Sequence, residues 1–316
     1  MKILISPSSF GKCGNEPLQI LEKTNYELIY NPYGRKLTED EVIELGGEDL
    51  VGIVAGVEPL NAKVIDQLPN LKCISRVGVG VDSVDLKYTE KMNIQVLNTP
   101  DGPTRAVAEL TVGLAMNLLR CITIADTNLK NNNWKKEIGN LILGKKVGIF
   151  GLGRIGKLTS KLFQNLGASV QAYDLYPDSE YLENNNIDLV SIDQLFNTSD
   201  IISIHVPGSK NNTPIICSNE LNLMKKSAYL INVSRGGVVD EESLIHALQN
   251  GLIAGAGLDV YKNEPEFNSS LMMENVVLSP HVGTATTEAR DSMGFRVIEN
   301  IEVFLETGTP KDPVCS

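Results

Sequence analysis

The sequence has few residues of the kinds that cross-link a chain or carry it across a membrane. Its five cysteines lie far apart, at Cys13, Cys73, Cys121, Cys217 and Cys315. Their number is odd and no C-x-x-C pair occurs, which disfavours both a disulfide framework and a zinc knuckle. No stretch approaches 18 apolar residues, so we expect no membrane span. The first apolar run, residues 3–5, is too short for a signal peptide, and we expect a cytoplasmic protein.

Positive charge is also scarce. The 28 lysines and arginines are outnumbered by 39 aspartates and glutamates, which gives a formal net charge of −11. This balance disfavours a general nucleic-acid binder, because such proteins carry a basic footprint. It is compatible with an anionic small molecule, since a local cluster of arginine and backbone N–H groups outweighs a distant field. With 316 residues, of which 42% are hydrophobic, the chain is expected to form two domains.

Short apolar runs that alternate with helical patterns are abundant. The runs are continuous, as in parallel strands that are covered on both faces. A first series lies at residues 2–6, 26–30, 50–55, 72–76 and 94–97, and a second at 147–150, 169–173, 201–204, 228–232, 254–258 and 276–278. Strands that alternate with helices predict βαβ units and parallel sheets, which is an α/β fold class.

Three helix signals stand out between the strands. Thr38 and Glu41 form a capping-box pattern that opens a helix, and a Gly-Gly pair ends it. One long helix is predicted from Pro103 to about residue 130, since proline suits the first position of a helix. The last helical pattern covers roughly residues 286–306 and leads into a short tail that contains glycine and proline.

A glycine-rich turn carries the first functional signal. The pattern G-x-G-x-x-G lies directly after the strand 147–150 and opens a helix, with its residues at Gly151, Gly153, Arg154, Ile155 and Gly156. In a dinucleotide-binding unit the three glycines allow the tight turn, the approach of the pyrophosphate and the packing of helix on strand. The pyrophosphate then lies at the positive end of the helix. Because strand and helix are both in place, we predict a dinucleotide site.

Asp174 indicates which dinucleotide is bound. It follows the second strand of this unit, 18 residues after Gly156. A carboxylate at this point accepts hydrogen bonds from the adenosine ribose and repels a 2′-phosphate. The residues that follow, Leu175, Tyr176 and Pro177, include no arginine that would receive such a phosphate. We therefore predict NAD rather than NADP.

The chain has only three histidines. His246 lies in the middle of a predicted helix, whereas His205 and His281 follow strands and so lie at the carboxyl edge of the sheet, where ligands bind. Their spacing does not fit a metal site. A histidine in a loop is more often structural than catalytic, so the residues alone leave the chemistry open.

Several segments together are similar to one family, the D-isomer-specific 2-hydroxyacid dehydrogenases. They occur in the order of that family and lie at residues 76–82, 98–100, 107–110, 151–156, 205–207, 232–241, 257–260, 264–265 and 279–283. The resemblance implies an NAD-dependent oxidoreductase that interconverts a D-2-hydroxy acid and a 2-keto acid. Its catalytic residues would be His281 as the acid/base, Glu264 as the carboxylate partner of His281, and Arg235 as the anchor of the substrate carboxylate.

The resemblance also implies the binding residues. The cofactor contacts are expected at Gly151, Gly153, Arg154, Ile155, Gly156, Asp174, His205, Val206, Pro207, Val233, Ser234, Asp259 and His281. Among these, Asp259 is similar to the residue that contacts the nicotinamide carboxamide. The substrate contacts are expected at Arg76, Val77, Gly78, Val79, Arg235 and His281. In the family, the loop around Gly78 donates backbone N–H groups to the substrate carboxylate.

A split architecture follows from the same resemblance. A smaller flavodoxin-like α/β substrate domain is expected at residues 1–98, completed by 287–316, and a Rossmann-type NAD-binding domain at 99–286. The resemblance implies a homodimer formed through the segment 103–140, which contains Trp134. Simple core packing is the alternative explanation for Trp134.

The substrate is the least determined part of the prediction. Arg76 and the loop after it most resemble the phosphoglycerate dehydrogenases, in which a cation would bind a phosphate beyond the carboxylate. The pair would then be 3-phosphoglycerate and 3-phosphohydroxypyruvate, and Lys135 or Lys136 would supply a second cation across the dimer. Reduction of glyoxylate or hydroxypyruvate is the alternative, with Arg76 in a structural ion pair.

A function of another class is also compatible with the fold, since fold does not fix function. Some proteins with this fold are NAD-sensing transcriptional corepressors, which bind without catalysis. The complete set of Arg235, Glu264 and His281 favours an enzyme. Formate-type members pair the histidine with glutamine, so Glu264 argues against that subgroup.

Overall fold

The structure is a computed structural model that describes residues 1–11, 16–208 and 213–314. Cys13 and Cys315 lie outside the described residues, and Cys73, Cys121 and Cys217 are free thiols. The chain forms two compact units, unit 1 with Met1–Pro103 and Ala285–Ser316, and unit 2 with Thr104–Thr284. The sequence placed the junctions at 98/99 and 286/287. The assignment of substrate binding to the first unit and of NAD binding to the whole of 99–286 stays a prediction.

Unit 1 is built on a parallel sheet of five strands. The strands are β1 (Lys2–Ile5), β2 (Glu27–Tyr30), β3 (Leu50–Ala55), β4 (Cys73–Arg76) and β5 (Gln95–Leu97). Their spatial order is β2-β1-β3-β4-β5, the flavodoxin-like order. Every residue of β3 is buried, because helices cover both faces of the sheet, and the predicted α/β fold class is confirmed.

The helices of unit 1 are α1 (Glu16–Leu21), α2 (Glu39–Gly46), α3 (Ala62–Asp66), α4 (Leu86–Lys91) and, from the end of the chain, α12 (Thr287–Thr307). Both bonds of the predicted capping box are present at the start of α2. The last helix packs on the sheet through buried Val297, Ile298 and Ile301. The buried Ser75 hydroxyl of β4 donates a hydrogen bond to the Val297 carbonyl at 2.9 Å, which ties the returning chain to this sheet.

Unit 2 is built on a parallel sheet of seven strands. They are β6 (Lys146–Phe150), β7 (Ser169–Tyr173), β8 (Asp188–Leu189), β9 (Ile201–Ile204), β10 (Tyr229–Asn232), β11 (Gly255–Leu258) and β12 (Val276–Leu278). Their order is β12-β11-β10-β9-β6-β7-β8. The short edge strand β8 was not predicted, since its two residues are both exposed and give no apolar run. The other six strands agree with the prediction within one residue at each end.

The long helix predicted at 103–130 is instead two helices, and that prediction was wrong. They are α5 (Thr104–Arg120) and α6 (Ile122–Lys130), which meet at 62°. Cys121 between them has a left-handed backbone with φ of +54°. The Asn117 side chain accepts the Thr123 N–H at 2.9 Å and so stabilises the new helix start. Among the described residues no single helix is long and apolar enough to cross a membrane; this bent pair meets the criterion only by its combined length and composition.

The remaining helices of unit 2 cover the two faces of its sheet. They are α7 (Arg154–Asn165), α8 (Ser179–Asn184), α9 (Ile192–Thr198), α10 (Ser218–Leu223) and α11 (Glu241–Gln249). On one face α5 packs through buried Leu114 and Leu118 in a core that also contains Phe163 of α7. On the other face α11 contributes Leu244 and Leu248. With both faces buried, the exposed edge at the carboxyl ends of the strands is left for a site.

Candidate active site

The residues predicted to bind cofactor in unit 2 follow the carboxyl ends of its parallel strands. Within the sheet, β7 and β8 lie on one side of β6, and β9 to β12 lie on its other side, so the strand order reverses between β6 and β9. Open α/β sheets bind ligands at such a switch point. Gly151 follows β6 and His205 follows β9, so these two residues flank it.

The glycine turn after β6 has no room for a side chain at two of its three glycines. Gly151 has a φ of +98°, and a Cβ there would lie 2.8 Å from the His205 carbonyl oxygen. A Cβ on Gly156 would lie 2.1 Å from the Gly151 carbonyl oxygen. At Gly153, which is exposed, no described atom lies within 4 Å of the Cβ position. The protein itself therefore requires the first and third glycines, whereas the second borders open space.

That open space lies at the N-terminus of α7. Gly153 is the N-cap residue, and no side chain caps the helix there. The first turn, which begins with Arg154 and Ile155, contains no acidic residue. The first N–H groups of an α-helix lack partners within the helix and favour an anion. A pyrophosphate fits this turn, as the sequence predicts.

Asp174 also makes structural hydrogen bonds that the sequence did not predict. Its Oδ2 accepts the Leu152 N–H at 2.6 Å, and its Oδ1 accepts the Tyr176 N–H at 2.8 Å. The carboxylate thus links the glycine turn to the end of β7 by a hydrogen bond. A carboxylate has about four acceptor positions, so it retains capacity for the ribose hydroxyls that the prediction assigns to it.

His205 is a neutral histidine at the switch point. Its Nε2 lies 2.8 Å from the Ser203 hydroxyl, and its buried Nδ1 has no partner within the described part of the chain. Burial lowers the pKa of His205 to about 3. Val206, next to it, would touch a Cβ on Gly151, and Pro207 is exposed. A buried polar atom without a partner at this edge fits a bound polar group, and the pyrophosphate turn lies directly beside it.

Arg235 stands on a turn that follows β10. Val233 is buried, and Asn232 shapes the turn: its Nδ2 donates to the Arg235 carbonyl at 2.9 Å, and its Oδ1 accepts the Ser234 N–H at 3.1 Å. The Arg235 guanidinium donates to the Ser234 carbonyl at 2.8 Å through Nη1. These bonds fix the backbone from which the arginine projects.

His281 and Glu264 form the pair that the sequence predicted. The His281 Nδ1 lies 2.6 Å from the Glu264 Oε2. His281 has a left-handed backbone with φ of +52°, which is uncommon for a residue other than glycine and is found where surrounding contacts impose it. The bond to Nδ1 leaves Nε2 as the ring nitrogen that can exchange a proton with a ligand.

The charges around this pair favour a protonated histidine. The hydrogen bond that His281 donates to the Glu264 carboxylate raises the pKa of His281 above its usual value, against burial and the positive charge of Arg235. Burial opposes ionisation of Glu264, but bonds from His281 and the Tyr261 N–H outweigh it and lower the pKa of that carboxyl. The positive charge of Arg235 acts on both residues.

Asp259 holds the loop that carries His281. Its buried carboxylate accepts the Ser279 hydroxyl at 2.6 Å and the N–H groups of Val282 and Gly283, each at 2.8 Å. These three donors lie on both sides of His281 and account for its unusual backbone. The predicted contact of Asp259 with the nicotinamide stays a prediction; the bonding to the histidine loop was missed because nothing in the sequence links residues more than 20 apart.

The predicted substrate loop of unit 1 is already partly engaged within that unit. The Gly78 N–H donates to the Thr99 hydroxyl at 2.8 Å, and the Val77 N–H donates to the Ala55 carbonyl at 2.9 Å. The Val77 and Gly78 N–H groups are therefore already hydrogen-bonded within unit 1. The predicted carboxylate-binding role of the loop is not tested by these contacts.

Arg76 packs beneath this loop, beside a buried acid that the sequence did not single out. A Cβ on Gly78 would lie 3.1 Å from the Arg76 Nη1. Glu58 is only 2% exposed, and its carboxylate oxygens accept the Gly56 N–H at 3.0 and 3.1 Å. Burial raises the pKa of Glu58, and the positive charge of Arg76 partly offsets that effect. Arg76 and Glu58 therefore interact electrostatically within unit 1.

The other predicted positions lie away from the sheet edge. Lys135 forms an ion pair with Glu137 at 2.7 Å, so its charge has a local partner. Trp134 is 80% exposed, which excludes the alternative of core packing. His246 lies on the exposed side of α11. The described residues contain no group of three or more His, Cys, Asp or Glu side chains that could hold a metal ion.

Known proteins are similar to this chain in sequence. The model of the D-isomer specific 2-hydroxyacid dehydrogenase NAD binding domain matches residues 112–283. A glyoxylate reductase of Thermococcus litoralis is 38% identical over 267 residues, which cover 81% of each chain. A D-3-phosphoglycerate dehydrogenase of Methanocaldococcus jannaschii is 37% identical over 273 residues, which cover 85% of this chain but 52% of that protein. The chain thus spans about half the length of that relative.

A solved structure agrees over nearly the whole chain. The NADPH-dependent glyoxylate/hydroxypyruvate reductase of Sinorhizobium meliloti, in complex with NADP and malonate, superposes with a TM-score of 0.86 at 30% identity. The match covers 99% of this chain and 96% of that one.

Proposed function

The chain belongs to the D-isomer-specific 2-hydroxyacid dehydrogenase family, an NAD-binding family of oxidoreductases, and on that premise we propose that it reduces a 2-keto acid to the D-2-hydroxy acid with NADH, with His281, Glu264 and Arg235 as its catalytic residues. The observation that carries this proposal is the 2.6 Å contact between His281 Nδ1 and Glu264 Oε2. That contact keeps a proton on the imidazole, and reduction of a carbonyl consumes one proton.

Each side chain has a distinct task in the reaction. When bound, the nicotinamide supplies the hydride in the reducing direction and accepts it in the other. His281 donates the proton at Nε2 to the carbonyl oxygen as negative charge develops there, and takes it back in the oxidising direction. Glu264 stabilises the imidazolium. Arg235 binds the substrate carboxylate through its planar guanidinium, which matches a carboxylate in shape and charge.

NAD is the cofactor that Asp174 favours. Its carboxylate follows β7, where a 2′-phosphate would meet its negative charge. Leu175 and Tyr176 beyond it are 74% and 89% exposed, and neither offers a positive charge. NADH is therefore the reductant for the experiment below, with NADPH as the comparison.

Among substrates, the contacts of Arg76 favour a short unphosphorylated keto acid such as glyoxylate or hydroxypyruvate. Arg76 already interacts electrostatically with the buried Glu58 inside unit 1, and Lys135 is paired with Glu137, so neither cation is held ready for a phosphate alone. Phosphohydroxypyruvate, which the sequence favours, remains the second candidate because Arg76 stands directly before the substrate loop.

The test is oxidation of NADH with glyoxylate, hydroxypyruvate, pyruvate and phosphohydroxypyruvate, measured on the wild type and on Arg76→Ala. If Arg76 binds a phosphate, the substitution lowers kcat/KM for phosphohydroxypyruvate about 10–100-fold and spares glyoxylate, as loss of a charge-assisted bond of roughly 1.5–3 kcal/mol requires. Equal losses on both substrates support the structural role proposed here. Binding of NADH without turnover of any 2-keto acid would favour a corepressor-like binding protein instead.

We also propose a homodimer formed through the segment 103–140. Four large apolar side chains within or just beyond it, Trp134, Ile138, Leu141 and Leu143, are 80%, 96%, 65% and 68% exposed. Such a patch is typical of an interaction surface. Sedimentation velocity should show a dimer for the wild type and a monomer for Ile138→Asp; a monomeric wild type would contradict the proposal.

A further inference from the structure

The loop that carries Glu264 is held by a second carboxylate, which belongs to Glu241 at the start of α11. The Glu241 Oε1 accepts the Lys262 N–H at 2.7 Å. The preceding amide, that of Tyr261, donates to the Glu264 Oε1 at 2.8 Å. Two successive backbone amides are thus bound by two carboxylates, one within the loop and one from α11.

The peptide between Tyr261 and Lys262 is also pressed against the Arg235 turn. A Cβ on Gly236 would lie 2.0 Å from the Tyr261 carbonyl carbon and 2.5 Å from the Lys262 nitrogen. Gly236 directly follows Arg235, and the same segment reaches Glu241 five residues later. One short segment therefore contacts the loop twice, by packing at Gly236 and by a hydrogen bond at Glu241.

The acids on either side of Glu241 have different partners. Asp240 caps α11 by accepting the Ser243 N–H at 3.0 Å. Glu242 accepts the Asn268 side-chain amide at 3.1 Å, farther along the loop. Of these three acids, Glu241 alone binds the backbone beside Glu264.

We propose that Glu241 is a positioning residue: through the Lys262 N–H it holds the Glu264 loop so that Glu264 Oε2 stays within hydrogen-bonding distance of His281 Nδ1. The catalytic meaning of this role rests on the proposed function, whereas the contact itself does not. The charged groups that act on His281 are Glu264, Asp259 and Arg235. Glu241 bonds the Lys262 backbone and not His281 itself, so in this proposal it acts through the position of the loop.

Three substitutions separate position from charge. Glu241→Ala removes the bond, Glu241→Asp keeps the charge but shortens the reach, and Glu241→Gln keeps the reach and an acceptor oxygen but removes the charge. The matched control is Glu220→Ala, which removes a similar carboxylate bond, from Glu220 to the Cys217 N–H at 2.8 Å, at the start of α10.

The first readout is the pKa of His281, taken from the NMR titration of the histidine ring protons without cofactor. With three histidines in the chain, the signal is assigned by its loss in His281→Gln. A looser Glu264 stabilises the imidazolium less, so the pKa should fall in Glu241→Ala and Glu241→Asp. It should stay at the wild-type value in Glu241→Gln and Glu220→Ala.

The second readout is keto-acid reduction. Glu241→Ala and Glu241→Asp should lose about 10–100-fold in kcat/KM, since small misplacements of catalytic groups cost up to about 100-fold. The decline of the reduction rate with rising pH should also begin at a lower pH than in the wild type. An unchanged His281 pKa in folded Glu241→Ala, or a pKa as low in Glu241→Gln as in Glu241→Ala, would overturn the proposal. If the alanine variant does not fold, the opposite behaviour of the Asp and Gln variants decides.

The two readouts separate this proposal from the proposed function. A wild type that reduces none of the keto acids refutes the proposed function. The titration still shows whether Glu241 positions Glu264.

Discussion

His205 and His281 each lie just beyond a parallel strand of the same sheet, and their surroundings shift their pKa values in opposite directions. His281 has a carboxylate 2.6 Å from its Nδ1, which raises its pKa. His205 is bonded to the neutral Ser203 hydroxyl, and burial lowers its pKa to about 3. Position in the fold is alike for the two, so the neighbouring group decides which histidine can supply a proton.

The backbone is also held differently at the two histidines. The His281 loop is bound on both sides by Asp259 and has a left-handed residue at its centre. His205 simply continues from β9, with its N–H bonded to the Phe150 carbonyl at 2.8 Å. The proposed acid/base role of His281 requires a defined direction toward the substrate, whereas the predicted cofactor contact of His205 requires only its position at the sheet edge.

The largest expected effect comes from removing the charged histidine. His281→Gln should lower kcat for keto-acid reduction by roughly 10²–10⁴-fold, the usual worth of a positioned proton donor, with little change in the binding of NADH. The control is His246→Gln on the exposed side of α11, which should leave kcat unchanged. Steady-state kinetics with full activity in His281→Gln would remove this residue from the mechanism.

A smaller effect is expected when the histidine stays and its partner loses the charge. In the wild type the reduction rate falls as pH rises through the pKa of His281, because the imidazole must be protonated. Glu264→Gln retains an acceptor for the Tyr261 N–H but no longer stabilises the imidazolium, so this fall should occur at lower pH. The measurement is log kcat/KM against pH for both proteins; superimposable profiles would show that Glu264 does not control the proton.

Much of the fold could be predicted from the sequence. Continuous apolar runs predicted both sheets, and the glycine pattern predicted the turn after β6, because these signals arise from residues close together in the chain. The break between α5 and α6 at Cys121 was missed because cysteine has no preference for a left-handed backbone. The hydrogen bond that stabilises the start of α6 comes from Asn117, and no local sequence pattern indicates it. The two-residue strand β8 lacks an apolar run altogether.

The parts that were missed depend on pairs of distant residues. Asp259 meets the Val282 and Gly283 amides across more than 20 residues, as does Glu241 with the Lys262 amide. Glu58, which the charge of Arg76 influences, lies in the loop after β3. A sequence shows which residues are able to accept hydrogen bonds, but the partner is set by the packing of strands and helices. The family resemblance therefore named candidate site residues whose roles stay predictions, whereas their positioning contacts could not be predicted from the sequence.

The smallest effect on turnover is expected at His205, where the comparison can be tested through stability. The pKa of His205 is about 3 in the folded protein and 6.5 ordinarily. Between these two pH values the unfolded chain therefore binds a proton at this residue that the folded chain does not bind. The wild type should therefore lose stability as pH falls from about 6.5 toward 3, by up to about 1.4 kcal/mol per pH unit. His205→Gln can still bond to Ser203 but does not titrate, so it should lack this part of the acid sensitivity. Urea midpoints of both proteins between pH 7.5 and 4.5 provide the measurement, and a constant difference across that range would mean that His205 is not buried as a neutral ring.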